Sequence, residues 1–179
     1  MPSTRIVLSL DEHTKEGAFA SVFCDIEQRI AYKAFKSHRH PSASWLSRER
    51  AIAEDELRRA VFRSQVRAYE IASHSESLSA IVPAFHGTTV IERILDEQGI
   101  PVSDHYLLEC CYAMELIDGE PEKLRDGYAH VRRIKNYFRD AGIKFVDDAS
   151  AFFQDNPHRI KIIDFAVADE YYKGELRLP

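Results

Sequence analysis

An aspartate at the end of an apolar run is the feature of this chain that points most directly to chemistry. In Ile160-Lys161-Ile162-Ile163-Asp164-Phe165-Ala166 the carboxylate follows a strand-like segment, where a charge must be neutralised or face a cation. A magnesium ion carried on nucleotide phosphates would meet that need. A turn-forming or helix-capping aspartate is the plainer alternative. The other reactive residue types offer less. The eight histidines have no His-Glu-x-x-His spacing, and His38-Arg39-His40 falls in a loop, where solvated polar side chains are expected. Cys110 and Cys111 are adjacent and Cys24 is alone, which gives neither a metal-ligand spacing nor a disulfide framework and suits a reducing compartment.

These residues need elements to position them. Alternation predicts strands at Arg5–Leu10, Ala18–Cys24 and Arg29–Phe35, followed by a loop over 37–43. A long charged segment from Ser44 to Ser73 reads as a helix, with Ser44 or Ser47 as its cap. On it Leu57, Val61, Gln65, Ala68 and Ala72 form one stripe of helical period, apolar except at Gln65. Two further strands, Ile81–Leu95 and His105–Ile117, flank the turn-like Asp96-Glu97-Gln98-Gly99. The expectation is an α+β fold: a five-stranded antiparallel sheet with one long helix over 1–117, then a smaller, more helical region over 118–179. In that region Val131, Ile134, Tyr137 and Phe138 lie at helical spacing before the terminating Ala141-Gly142.

In order along the chain, several motifs resemble those of the protein kinase family. Ile30-Ala31-Tyr32-Lys33 looks like the family's Val-Ala-Ile-Lys strand, and Asp164-Phe165-Ala166 like its Asp-Phe-Gly triplet. Gly17-Ala18-Phe19-Ala20-Ser21-Val22-Phe23, which starts sixteen residues before Lys33, is similar to the second half of the glycine-rich loop, though Gly17 is its one glycine. Read alone, it is a hairpin turn. Tyr112-Ala113-Met114-Glu115-Leu116-Ile117-Asp118-Gly119 resembles the hinge, with Met114 as gatekeeper and the backbone of Glu115 and Ile117 meeting adenine. Gln65 stands where the family's helix carries glutamate. Gly142-Ile143-Lys144-Phe145-Val146-Asp147 matches the catalytic loop in part, with Phe152 where asparagine is usual.

The resemblance implies a bilobal fold and two cofactors, ATP and Mg2+. Lys33 would hold phosphates and Asp164 the metal, while Asp147 or the adjacent Asp148 would act as base. Gly17, Ala18, Ser21, Val22, Ala31 and Gln65 would line the nucleotide, and Ser150, Gln154 or Asn156 would be left to supply the oxygen that the missing asparagine would have given the second metal. Only fifteen residues follow Asp164, which resembles the small bacterial effector kinases delivered into host cells. Two readings follow from the resemblance: a phosphotransferase acting on protein Ser/Thr, or a pseudokinase that binds nucleotide or a protein partner. A third, an α+β interaction protein, ignores it.

Composition narrows the partners. At 179 residues, 45% of them hydrophobic, the chain suits one domain with a substantial core. A net charge of −5, from 24 basic against 29 acidic residues, offers no field for nucleic acid or anionic lipid. Ile6–Leu10 is too brief for a signal-peptide core or membrane span, so a cytoplasmic location, or the host cytosol for an effector, is expected.

Overall fold

The computed structural model describes residues 5–43, 47–124, 129–147, 149–153 and 160–168, and the protein is α+β as expected. Contacts divide the chain into one unit of residues 1–62 and 86–114 and another of 63–85 and 115–179. The sequence puts its boundary at 117. Segment 63–85 groups with the C-terminal residues because its backbone is tied to them: Ile162 N–H donates to Ile81 O at 2.8 Å and Val167 N–H to Ser64 O at 3.3 Å.

The first unit is built on a sheet of β1 (Arg5–Ser9), β2 (Lys15–Glu16), β3 (Ala20–Asp25), β4 (Ile30–Lys36), β5 (Phe85–Leu95) and β6 (Tyr106–Glu115), in the order β1-β5-β6-β4-β3-β2. This corrects the expected five antiparallel strands in two respects. The sheet has six strands, and β1 runs parallel to β5, with Arg5 against Val90 and Ser9 against Leu95. Side-chain alternation tells which face a residue occupies and is the same for either strand direction, so the pattern found β1 without its orientation. β2 is two exposed, charged residues with no period to detect. One face of the sheet holds a cluster of Leu8, Phe23, Ala34, Ile91, Ile94 and Tyr106. On β4's other face Phe35 packs edge-on against Phe62, with ring centroids 5.5 Å apart.

Helix α1 (Arg48–His74) begins at the expected Ser47, whose Oγ accepts from Arg50 N–H at 3.4 Å and whose carbonyl accepts from Ala51 N–H at 2.8 Å. The alternative cap, Ser44, lies outside the described residues. In its first half α1 is tied by polar side chains: Asp55 accepts from His38 N–H at 2.7 Å and meets His38 Nδ1 at 2.7 Å, while Arg58 Nη1 donates to Ser37 O at 3.1 Å. The expectation of a solvated His38 is therefore corrected. The loop folds back on a helix that presents an acid to it.

The second unit contains the latter half of α1, helix α2 (Ala129–Asp140), and a small antiparallel sheet of β7 (Glu122–Lys123), β8 (Ser150–Phe153) and β9 (Ile160–Ile163). Among the described residues this sheet stands beside the helices, an addition to the helical region expected from the sequence. The end of α2 falls where Ala141-Gly142 predicts it. Gly142 adopts φ +88, Gly142 N–H donates to Arg139 O and Ile143 N–H to Phe138 O, both at 2.9 Å. That pair of bonds is the Schellman arrangement, which requires a left-handed residue, and the two residues it joins, Ile143 and Phe138, are both buried. The helix's buried stripe is Val131, Lys135 and Phe138; Tyr137, expected inside, is exposed.

Candidate functional site

In the first unit the predicted residues gather around β4. Lys33 lies opposite Val22 on β3, so the two share a face with Ala31 and Phe35. Lys33 Nζ stands 6.0 Å from the Phe35 ring centroid, and Phe35 and Ala31 are buried beneath this face. The amine thus stands over an apolar floor. Met114, near the end of β6, is buried as well.

Gly17 opens the four-residue turn between β2 and β3. Its N–H donates to Ala20 O at 2.9 Å, and a Cβ placed on it would come 3.0 Å from that oxygen. Glycine is needed here for close approach. Ala18 is exposed at the turn. Ser21 departs from its predicted role. It is fully buried on the face opposite Lys33, where its Oγ donates to Glu16 Oε1 at 2.9 Å and shares a 3.1 Å hydrogen bond with Tyr106 OH.

In the second unit β9 leads into Asp164. Ile162 is buried and Lys161 turns outward, its Nζ donating to Val82 O at 2.9 Å and pairing with Glu115 Oε2 at 3.3 Å. Glu115 Oε2 also accepts from Ala84 N–H at 3.0 Å, and Glu115 N–H donates to Ala84 O at 2.8 Å. The predicted hinge residue Glu115 is thus clamped to β9 and to segment 82–84 through both side chain and backbone. Ile117 and Gln65 are buried.

Asp164 adopts φ 61, one of two non-glycine residues with positive φ among those described. Aspartate tolerates this left-handed backbone better than most residues, and such conformations persist where the surroundings over-determine them. Aromatic rings do so here. Phe165 is fully buried, 4.6 Å from Tyr69 and 4.8 Å from Phe138 between centroids, and Tyr69 stacks on Phe85 at 5.5 Å. Beyond Phe165, Ala166 and Phe145 exchange backbone hydrogen bonds of 3.0 and 2.9 Å in an antiparallel bridge. Asp147 lies two residues after one partner and Asp164 two before the other. The local register therefore carries both aspartates to the same end of the bridge.

Asp147 is already engaged. Its Oδ1 accepts from Arg139 Nη2 at 2.9 Å and lies 3.6 Å from Nζ of the buried Lys135. These cations, one turn apart on α2, neutralise it. The alternative base Asp148 lies outside the described residues, as do Gln154 and Asn156. Ser150 is buried on β8 opposite Ile163. Among the described residues no cluster of three or more His, Cys, Asp or Glu side chains could hold a metal.

Sequence reasoning missed the partners of several polar side chains. Buried Lys36, Ser21 and Tyr106 form a polar group with the half-exposed Glu16, and the parity of Lys36 with Ala34 and Tyr32 on β4 was the available signal. A cavity of about 370 Å³ in the first unit, lined by Ile6, Leu8, Phe23, Cys24, Asp25 and Tyr32 among others, abuts the edge strand β1 and does not include Lys33. Cys111 and Cys24 are not activated: burial, with a smaller contribution from Cys110, pushes Cys111 up to about 12, and burial and Asp11 raise Cys24.

Comparison with family models, curated proteins and solved structures gives no match for this chain. Among the described residues no helix is long and apolar enough to cross a membrane. The fold itself defines an α+β protein whose six-stranded mixed sheet is accompanied by a separate three-stranded one.

Proposed function

We propose that this chain binds ATP with magnesium and is a phosphotransferase of protein-kinase type, passing the γ-phosphate to a Ser or Thr hydroxyl of a protein. The observation that carries the reading is Asp164: a half-buried carboxylate at the end of an apolar strand, in a left-handed backbone fixed by the buried Phe165. A group held in this way has its direction set before any ligand arrives.

The available donors suit this use. Magnesium is ordinarily held by one or two carboxylates together with phosphate oxygens and water, not by a dedicated cage of side chains. An aspartate at a strand end suits a metal that comes with its nucleotide. When bound, the metal would neutralise charge on the phosphates. Lys33, on its apolar floor, would donate charge-assisted hydrogen bonds to phosphate oxygens. Main-chain N–H groups at the Gly17 turn would approach the phosphates, and the backbone near Glu115 and Ile117 would meet the adenine edge. Asp147 would orient the acceptor hydroxyl.

A second reading, a nucleotide-binding module that does not transfer phosphate, draws support from Asp147, whose Oδ1 is occupied by Arg139 and faces Lys135. Gln65, where the family's helix carries a glutamate, removes a charge and favours the same reading.

Calorimetric titration with Mg·ATP tests both readings. Wild type should bind, whereas Lys33→Ala and Asp164→Ala, shown by circular dichroism to be folded, should lose binding at least tenfold. Absence of binding by wild type would remove the nucleotide reading altogether. Transfer of labelled phosphate from ATP by wild type then separates the kinase from the module.

A further inference from the structure

The two lysines of β4 lie three residues apart and so face opposite sides of the sheet. Lys33 has the role described above. Lys36, which nothing in the motif pattern singles out, is the more buried of the two, its side chain only 4% exposed. Its Nζ donates to Gly17 O at 2.6 Å and pairs with Glu16 Oε2 at 2.5 Å. Its backbone N–H donates to Phe19 O at 2.9 Å. One residue therefore grips the turn at both Gly17 and Phe19.

The grip is itself supported. Glu16 Oε1 accepts from Ser21 Oγ at 2.9 Å, and Ser21 shares its hydroxyl hydrogen bond with Tyr106 OH at 3.1 Å. Burial pushes Glu16 towards the neutral acid, but the hydrogen bonds from Lys36 and Ser21 and the Lys36 charge outweigh it and hold its pKa below the ordinary value. The carboxylate is therefore charged where Lys36 needs it. A lysine removed from water in this way is tolerable because its charge is both paired and hydrogen-bonded.

A glycine-rich loop reaches a ligand by backbone freedom, but residues 17–20 contain a single glycine. From this we infer that Lys36 is a positioning residue: with Glu16 it fixes the Gly17–Ala20 turn in the shape that receives the nucleotide's phosphates. The inference rests on the nucleotide-binding reading above. Lys36 does not touch the ligand. It acts by keeping the turn in one conformation, so its loss lowers the fraction of molecules ready to bind and raises the apparent Kd in proportion.

The experiment compares wild type, Lys36→Met and Glu16→Gln in calorimetric titrations with Mg·ATP and with adenosine, together with amide hydrogen exchange of residues 16–20 without ligand. Lys36→Met should raise the Kd for Mg·ATP about tenfold, as expected if only about a tenth of the molecules keep the competent turn. It should leave adenosine affinity within twofold and speed exchange at the turn. Glu16→Gln, whose side chain is half-exposed and whose loss the fold tolerates more easily, should shift both readouts the same way by a smaller factor.

Equal loss of ATP and adenosine affinity would mark Lys36 as a general structural support and overturn the inference. So would a folded Lys36→Met with wild-type affinity and wild-type exchange. If Lys36→Met does not fold, Glu16→Gln decides on the same criteria. Failure of wild type to bind either ligand removes the nucleotide reading and this inference with it, while unchanged exchange in the variants removes the clamp alone.

Discussion

The turn at Gly17 is held in the first unit by a buried lysine and its carboxylate partner, whereas Asp164 is held in the second by rings packed around the residue that follows it. The two devices differ in what they can do. A charged hydrogen bond is directional and short in reach, and it depends on both partners keeping their charge. Aromatic packing is less directional, spreads its stabilisation over several contacts, and is indifferent to pH. The first suits a turn whose backbone must be placed at one point, the second a strained residue that must be supported from behind.

The largest expected effect comes from breaking the aromatic side of this comparison. Phe165→Ala should cost about 3–5 kcal/mol, as truncation of a fully buried phenylalanine does, read as a lowered midpoint in urea unfolding. Phe165→Leu should retain more than half of the difference. A loss below about 1 kcal/mol in the alanine variant would mean the site collapses without penalty and that the rings do not support Asp164.

Acid should sharpen the contrast, because the polar cluster titrates and the stack does not. His40 packs against Tyr106 with ring centroids 5.6 Å apart, facing Lys36 and Glu16 as well as His105 and Arg58. Burial first, then the Lys36 charge, lowers its pKa from 6.5 to about 4, with Glu16 partly opposing. The unfolded chain therefore takes up this proton before the folded one, and stability falls as pH drops from 6.5 towards about 4. Glu16 adds to it. Its folded pKa is depressed, so its contribution is present above 4.5 and lost as pH falls through the folded value. Urea midpoints measured between pH 7 and pH 4 should decline, and His40→Gln should flatten the upper part of that decline. An equally steep profile in the variant would assign the acid sensitivity elsewhere.

The smallest effect belongs to the start of α1. The Ser47 cap bond is long at 3.4 Å, so Ser47→Ala should cost about 0.5 kcal/mol, the low end for an N-cap. Thermal melting that shifted by the amount expected for a full cap would show the bond to be tighter in solution.

Much of this was legible in the residues. The helix cap at Ser47, the end of α2 at Gly142, the turn at Asp96–Gly99 and the strand leading into Asp164 depend on local chemistry: a hydroxyl for orphan N–H groups, a left-handed residue for a helix end, apolar runs for buried strands. His38 shows where that reasoning stops. Its neighbours in sequence predict solvent, but its partner Asp55 is seventeen residues away on a helix. Lys36 is similar, because a lysine at a strand end looks exposed until its parity with Ala34 is set against a covered face. The second unit's sheet was missed because β7 is two residues long and Ser150–Phe153 has a composition that suits several elements.

The sequence by itself determined the longer elements and the order of the candidate residues, because propensity, capping and periodicity act over one or two turns of chain. Tertiary structure alone decided that β1 runs parallel to β5, that Ser21 faces away from Lys33, that Asp147 is taken by Arg139, and that Lys36 reaches Gly17. Each of those depends on which distant segments come to lie side by side. Alternation specifies a face but neither its neighbour nor the direction of that neighbour, and a charge at the sheet's end gains its partner only when the chain has folded around it.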